Sequence, residues 1–179
     1  VDQPVLMYNL EALRRVRQGT DVPIASHESS WSFYDALNVV KHQAADIVHI
    51  DPRFDAGFMG ARIASGIAEA AGMPVVSHHW AMLGVSTAAY MQLIASAPNF
   101  TLANQTGYNY LADDVIEGGP MGMRDGCIEL PEKPGIGVEL DRTKLAKYAR
   151  YHDENVKGRE MASKLTAYQL MGYRRFFEQ

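Results

Sequence analysis

Hydrophobic and polar positions in the first hundred residues follow two alternating patterns. In one pattern, apolar residues recur every three or four positions, as on the buried face of a helix. In the other, a short and largely apolar run resembles a strand that is buried on both faces. Asn9 is placed to cap the first helix and Gly19 to end it. The patterns predict helices over residues 10–18, 32–43, 61–71 and 87–97, and strands over 22–26, 46–50, 74–77 and 100–103.

The alternation of strands and helices favours successive βα units on a parallel sheet. Right-handed connections bring the carboxyl ends of parallel strands to one side of the sheet. In such folds the side chains at these ends face the ligand. The sequence therefore predicts a site at this edge, because polar side chains fall at or just after the strand ends: Asp2, His27, Glu28, Asp51, His78, His79 and Asn104.

The amino-acid composition of the chain changes after Asn104. Residues 105–139 are rich in Gly and Pro and are predicted to form a loop, and residues 141–151 a helix with Asp141 as its N-cap. Residues 153–179 are predicted to be a helical extension. Its end is rich in aromatic residues and Arg, so we expect it to dock on the rest of the fold, on a capping domain or on a neighbouring subunit.

Composition and charge narrow the classes of protein to which this chain can belong. The 179 residues are 47% hydrophobic and 21% charged, and their length fits one domain. A net charge of −4 without a basic block argues against a nucleic-acid partner. No apolar run approaches the ~20 residues of a membrane span, and no signal-peptide pattern is visible. With Cys127 as its single cysteine, the chain is expected to be cytoplasmic.

Asp51 and His78 follow consecutive predicted strands and form a candidate pair. Adjacent parallel strands lie ~4.8 Å apart, so side chains at their ends can form a hydrogen bond. A carboxylate that binds an imidazole fixes its tautomer and raises its basicity. The alternative is that Asp51, which precedes Pro52, is a turn former and that His78 is an ordinary polar residue.

The same edge contains candidate metal ligands. His and Glu are common zinc ligands, which makes His27, Glu28, His78 and His79 a possible zinc set. Neighbouring residues on a strand point to opposite faces, however, so His78 and His79 are not expected to bind one ion together. The oxygen ligands Asp2 and Glu28 suit Mg²⁺ better, unless they are surface carboxylates in loops.

The remaining histidines, His42, His49 and His152, show no informative spacing and are expected to be ordinary polar residues.

Five segments resemble, in order, the barrel domain of the enolase superfamily in its mandelate racemase and muconate lactonizing branch. The family's fourth to seventh strands are similar to "VDQP", "VPIASHES", "AADIVHIDPRFDAGF" and "AEAAGMPVVSHHW", and its closing loop to "DGCIELPEKPGIGVELD". The resemblance runs from Val1 to about Tyr151. It implies an α/β fold in which residues 1–152 are the C-terminal portion, about the fourth to eighth strands, of a (β/α)₈ TIM barrel. The family's capping domain and first strands would precede Val1, in the same chain or in a partner chain.

The resemblance implies Mg²⁺-assisted removal of the proton α to a carboxylate, with an enediolate intermediate. Aligned on the turn at Ala56-Gly57, Asp51 falls where the muconate branch has its lysine and the mandelate branch its aspartate. His78 falls on the catalytic histidine of the mandelate branch. The two residues are therefore expected to act as a dyad, with His78 as base or acid and Asp51 orienting it.

The family's metal ligands and a third catalytic residue carry over with substitutions. Asp2 lies where the family has a glutamate ligand. Glu28 matches a glutamate ligand in one alignment, and His27 replaces an aspartate ligand in the other. Asn104 falls near a glutamate that protonates or hydrogen-bonds the substrate carboxylate; an Asn can donate a hydrogen bond but cannot supply a proton.

The expected activity is dehydration of a sugar acid to a 2-keto-3-deoxy acid. Racemisation or epimerisation of a 2-hydroxy acid or amino-acid derivative is the alternative, but it needs a second, opposed acid/base group. A third possibility is a non-catalytic fragment or subunit. The expected partners are a small carboxylate substrate, the missing N-terminal half or a partner chain, and further copies in a homo-oligomer.

Overall fold

The computed structural model describes residues 1–79 and 82–155. Its centre is a parallel three-stranded sheet in the order β1-β2-β3, formed by Ala25–Ser26, Ile47–Ile50 and Val75–Ser77. A small antiparallel hairpin, β4-β5, is formed by Met123–Arg124 and Cys127–Ile128. The α-helices, numbered α1 to α5 in chain order, are Leu10–Gln18, Phe33–His42, Gly57–Ala70, Gly84–Ala95 and Arg142–Asn155.

The register of the sheet places the carboxyl ends of its strands side by side. Ala25 pairs with Ile47, and Ile50 pairs with Ser77. At one edge the sheet is continued by a single parallel bridge between Asp2 and Ala25. The observed βα alternation confirms the predicted parallel α/β sheet, and the residue after each strand faces the same end of the molecule.

The prediction of a strand over residues 100–103 is wrong. The backbone N–H of Val75 donates a hydrogen bond to the carbonyl oxygen of Asn99, 2.9 Å away, and Asn99 precedes the predicted strand. Farther along β3, the side-chain oxygen of Asn104 accepts a hydrogen bond from the N–H of Ser77 at 2.8 Å. A side chain therefore satisfies the edge of β3 where a fourth strand would have supplied a carbonyl group.

The core lies between the sheet and the helices α2 and α3. Val48 and Ile50 of β2 are fully buried against small residues of both helices. The alternation of side chains along a strand then directs His49 to the opposite face of the sheet. Small side chains let the helices approach closely, so the core contains many alanines: Ala36, Ala61, Ala64 and Ala68.

Helix limits agree with the sequence where a local cap sets them. Asn9 caps α1, with its side chain accepting from the N–H of Ala12, as predicted. Asp141 accepts from the N–H of Lys144 at the start of α5, also as predicted. Helix α4 begins at Gly84, three residues before the predicted start, because the distant carboxylate of Asp114 accepts a hydrogen bond from the Gly84 N–H at 3.0 Å.

The predicted C-terminal extension is described only at its beginning. Residues 153–155 continue α5, and residues 156–179 lie outside the described residues. Over the two described ranges, every helix is too short or too polar to cross a lipid bilayer.

Candidate functional site

Three histidines from three different parts of the chain meet at the carboxyl end of the sheet. His27 follows β1, His49 lies in β2 and His78 follows β3. The ring centroids of His27 and His49 are 4.7 Å apart, and those of His27 and His78 are 4.3 Å apart. One ligating nitrogen of each ring lies within 4.8 Å of the other two. We call these residues the histidine cluster.

Asp2 lies against the histidine cluster. One oxygen of its carboxylate is 3.0 Å from Nδ1 of His27, and the other is 3.3 Å from Nε2 of His49. The bridge between Asp2 and Ala25 holds this carboxylate beside the end of β1. Glu28 is farther out, with its nearer oxygen 3.8 Å from Nδ1 of His27. The structure thus brings together the three predicted metal ligands, Asp2, His27 and Glu28.

His49 is the member of the cluster that sequence reasoning missed. Its spacing to the other histidines is uninformative, because the contact depends on strand pairing. The usable signal is the alternation along β2: Val48 and Ile50 fill the core, so His49 has to face the site. Nδ1 of His49 is buried and has no hydrogen-bond partner among the described residues.

The cluster perturbs the basicity of its own rings. The pKa of His49 is lowered to about 4, chiefly by burial and also by the nearby charges of His27 and His78, against the opposing effect of Asp2. Burial, and then the charge of His27, also lower the pKa of His78. For His27, burial lowers the pKa, but the hydrogen bond and the charge of Asp2 outweigh it and the net pKa is raised. His27 is therefore the imidazole that most readily carries the proton.

Asp51 and His78 have different partners in the structure. The Asp51 carboxylate is buried and accepts hydrogen bonds from the Arg53 side chain, with Nε 3.0 Å away, and from the hydroxyl of Tyr90. Nδ1 of His78 lies 3.1 Å from Oε1 of Gln105. The predicted hydrogen bond between Asp51 and His78 is absent from the contacts of these residues. The Asp51 carboxylate is instead bound by Arg53, two residues along the same turn, and by Tyr90. Their catalytic roles stay predictions.

The other predicted catalytic residue, Asn104, is engaged with the backbone at both ends of its amide. Its oxygen accepts from the N–H of Ser77, and its nitrogen donates to the carbonyl oxygen of Leu102 at 3.2 Å. These bonds position the chain after β3. A contact between Asn104 and a substrate stays a prediction.

His79 faces away from the cluster, as the alternation of side chains predicts. Its Nε2 is 3.0 Å from the hydroxyl of Thr87, and its Nδ1 is 3.1 Å from the hydroxyl of Thr106. His79 is buried and packs edge-on against Tyr90. It serves the packing between α4 and the following loop.

Comparison with known proteins gives consistent matches over most of the chain. A family model described as enolase C-terminal domain-like matches residues 1–144. A chloromuconate cycloisomerase from Cupriavidus pinatubonensis (strain JMP 134 / LMG 1197) is 31% identical over 157 residues, which are 87% of this chain and 42% of the relative. An L-Ala-D/L-Glu epimerase from Bacillus subtilis (strain 168) is 33% identical over 140 residues, 77% of this chain and 37% of the relative.

Solved structures match the fold with similar coverage. An enolase from Pseudomonas fluorescens Pf0-1, with bound magnesium, potassium and tartrate, has a TM-score of 0.78 at 26% identity and covers 87% of this chain and 37% of its own. A 2-chloromuconate cycloisomerase from Rhodococcus opacus 1CP has a TM-score of 0.75 at 28% identity, with 82% and 40% covered. The chain thus spans about two fifths of the length of the relatives it matches.

Proposed function

The chain belongs to the enolase superfamily, with the C-terminal domain of the mandelate racemase and muconate lactonizing type, and on this premise we propose that the protein removes the proton α to a carboxylate. The finer proposal is dehydration of a sugar acid to a 2-keto-3-deoxy acid. The observation that carries it is the position of His78, at the carboxyl end of β3 and within ring contact of His27, which bonds to the carboxylate of Asp2. This edge of the sheet is where ligands bind in such folds.

His78 is the proposed acid/base group. Burial lowers its pKa, so the imidazole is neutral near pH 7 and can accept a proton. When Nδ1 donates its proton to Oε1 of Gln105, 3.1 Å away, Nε2 carries the free lone pair. Gln105 then fixes the tautomer, the role that the sequence assigned to Asp51.

Dehydration is favoured over epimerisation because it can use one acid/base group. After His78 has taken the α-proton, the same imidazolium can protonate the departing β-hydroxyl, and the elimination is balanced by loss of one water. Epimerisation needs a second group on the opposite face of the substrate, and among the described residues the carboxyl ends of β1, β2 and β3 carry His27, Asp51 and His78 rather than a lysine. The second candidate is nevertheless an epimerase, because a relative named as an L-Ala-D/L-Glu epimerase is 33% identical.

A divalent cation belongs to this proposal, because related enolase structures contain magnesium. Mg²⁺ prefers an octahedral set of oxygen ligands. Of the predicted ligands, Asp2 and Glu28 supply carboxylates, but His27 and two further imidazoles lie among them. This donor set fits Mg²⁺ poorly, and the acid/base steps proposed for His78 do not pass through that ion.

The whole protein is also proposed to need partners. The relatives are more than twice as long as the matched region, so a capping domain and further barrel strands, from the same or another chain, are proposed to complete the site. A cytoplasmic homo-oligomer that acts on a small carboxylate is the proposed working form. Intact mass together with light scattering of the purified protein tests this assembly.

The test of the activity is exchange of the substrate α-proton in D₂O, followed by NMR over a panel of sugar acids with a divalent cation present. We expect loss of the α-proton signal together with formation of a 2-keto-3-deoxy acid. His78→Asn is expected to slow both by about 100-fold or more, the usual contribution of an acid/base residue. His42→Asn is the matched control, because His42 is exposed and bonds to the Asn38 carbonyl of its own helix.

Three other outcomes contradict the proposal in different ways. Exchange without a keto acid product, with inversion at the α-carbon, supports the epimerase candidate. Equal rates in the wild type and in His78→Asn remove His78 from the chemistry. Absence of any exchange and of any cation binding in the folded protein supports the non-catalytic alternative.

A further inference from the structure

We propose that the histidine cluster forms a binding site for a divalent transition-metal ion of the zinc class, with His27, His49 and His78 as ligands and Asp2 as the carboxylate that orients two of the rings. This inference goes beyond the proposed function, which uses His78 as an acid/base group and assigns no ligand role to His49. It rests on the donor atoms and their positions.

The geometry brings three imidazole donors together, with the Asp2 carboxylate bound to two of them. The three imidazole nitrogens lie within 4.8 Å of one another, and the Asp2 oxygens are 3.0 and 3.3 Å from nitrogens of His27 and His49. A tetrahedral zinc ion with bonds of about 2.0–2.1 Å holds its ligand atoms about 3.3 Å apart. Binding is therefore proposed to draw the three rings closer together than they lie in this structure.

The chemistry of the donors selects the class of ion. Imidazole suits Zn²⁺, Co²⁺ and Ni²⁺, whereas Mg²⁺ and Ca²⁺ prefer carboxylate, carbonyl and water oxygens. Three neutral imidazoles match the protein ligands of a four-coordinate zinc site in which water or a substrate takes the fourth position. The described part of the site therefore differs in chemistry from an all-carboxylate magnesium site.

An independent observation is the unsatisfied nitrogen of His49. Its side chain is only 11% exposed, and its Nδ1 is buried without a hydrogen-bond partner among the described residues. A buried polar atom without a partner is costly. His27, which stacks on this ring, and Asp2 offer no alternative contact to that nitrogen. An ion bound at Nδ1 would satisfy this atom, while Nε2 donates to Asp2, as the second ring nitrogen of a histidine ligand commonly donates to a carboxylate.

Occupation of this site has a consequence for the proposed reaction. A neutral imidazole has one free lone pair, and once that lone pair of His78 binds an ion it cannot accept a proton. Binding of a zinc-class ion through His78 and use of His78 as a base are therefore mutually exclusive. Zn²⁺ is expected to inhibit α-proton exchange by occupying the cluster.

The experiment is titration of the metal-free, tag-free protein with Co²⁺, followed by its visible spectrum, and with Zn²⁺, followed by calorimetry. We expect one ion per chain and the intense visible absorption of tetrahedral Co²⁺, which Zn²⁺ abolishes by displacement and a large excess of Mg²⁺ does not. His49→Phe keeps a ring of similar shape without a donor. It is expected to weaken Zn²⁺ binding by more than about 100-fold, since changes outside the ligand shell alone cost 10–100-fold.

Two variants keep the result interpretable. His42→Phe, on the exposed end of α2, is the matched control and is expected to retain wild-type affinity. His78→Phe replaces His49→Phe if the latter does not fold, as judged by circular dichroism. The proposal is overturned if Co²⁺ gives only the weak spectrum of an octahedral ion, or if wild type and a folded cluster variant bind Zn²⁺ equally. Absence of α-proton exchange in the protein free of zinc-class ions, together with intact Co²⁺ binding after Co²⁺ is added, would instead overturn the proposed function alone.

Discussion

The hydroxyl of Tyr90 on α4 donates a hydrogen bond to the carboxylate of Asp51 at the end of β2. The same carboxylate accepts from the side chain and the backbone N–H of Arg53. Burial alone would raise the pKa of Asp51, but these donors together leave it below its ordinary value. Burial and the bond to Asp51 raise the pKa of Tyr90, so its hydroxyl stays a donor. Asp51 is thus held charged, and it ties α4 to the sheet.

We predict that Tyr90→Phe destabilises the protein by about 1.5–3 kcal/mol, the usual cost of losing a hydrogen bond to a buried charge. Urea denaturation measures the free energy of unfolding. Tyr110→Phe is the control, because Tyr110 is 82% exposed, and it is expected to change stability little. Equal effects of the two substitutions would mean that Arg53 alone satisfies Asp51.

Asp55 makes stability depend on pH. Burial, with a contribution from the charge of Asp51, raises its pKa to about 6, from an ordinary value of 3.8. The folded state therefore binds a proton more tightly than the unfolded state. The stability that this proton contributes is complete below about pH 4 and is lost as the pH rises through about 6.

Asp55→Asn is expected to remove this dependence, because a neutral amide oxygen can still accept the N–H of Asp51. Its unfolding free energy, relative to wild type, should rise between pH 4 and pH 7, as measured by urea denaturation at several pH values. Asp21→Asn, at an exposed position, is the control. A pH profile that is parallel for Asp55→Asn and wild type would show that Asp55 titrates normally.

Two glycines of α3 provide a matched pair of substitutions. A Cβ atom on Gly60 would overlap the backbone carbonyl of Asp55, whereas a Cβ on Gly66 would meet nothing within 4 Å. We predict that Gly60→Ala destabilises the protein by about 2 kcal/mol or more through overpacking. Gly66→Ala should stabilise it by about 0.5–1 kcal/mol, because Gly is unfavourable in a helix interior. Thermal unfolding of both variants checks the sign, and destabilisation by Gly66→Ala would contradict the assigned packing.

Asp46 connects α1 to the sheet. Its carboxylate accepts from Nε of Arg17 at 2.7 Å and from the N–H of Ile24 at 2.9 Å. Burial raises its pKa, but these two donors outweigh burial and leave the net pKa lowered. Asp46→Ala is expected to cost about 1–2 kcal/mol at pH 7, because the Ile24 N–H loses its partner. The cost should shrink as the pH falls through the lowered pKa, since the wild type then loses the same charge.

The control for Asp46 is Glu11→Ala. Glu11 pairs with Arg14 on the exposed face of α1, and such surface pairs contribute little. Urea denaturation at pH 7 and at low pH compares the two variants. An Asp46→Ala variant as stable as Glu11→Ala would mean that the contacts of Asp46 with Arg17 and Ile24 do not stabilise the packing of α1 on the sheet.

Local signals in the sequence were sufficient to predict the limits of some helices. Asn9 and Gly19 set the limits of α1 because capping and chain termination act within one turn. The end of α2 carries no comparable local signal, because Gln43 rather than a glycine adopts the left-handed conformation there, with φ of 49°. Helix α3 starts at Gly57, four residues before the apolar pattern indicates, because Ala56 with φ of 59° reverses the chain directly after the turn that follows β2.

The sequence by itself determined the parallel α/β sheet and the placement of Asp2, His27 and His78 at one edge, because side-chain period and strand order follow from local pattern and chain connectivity. The sequence also contained the segments that identify the family. Only the tertiary structure decided which of these side chains touch. His49 joined the cluster through strand pairing, and Asp51 bonded to Arg53 and Tyr90 instead of His78. Such choices depend on distances of a few tenths of a nanometre between elements remote in sequence, and no residue pattern within one element specifies them.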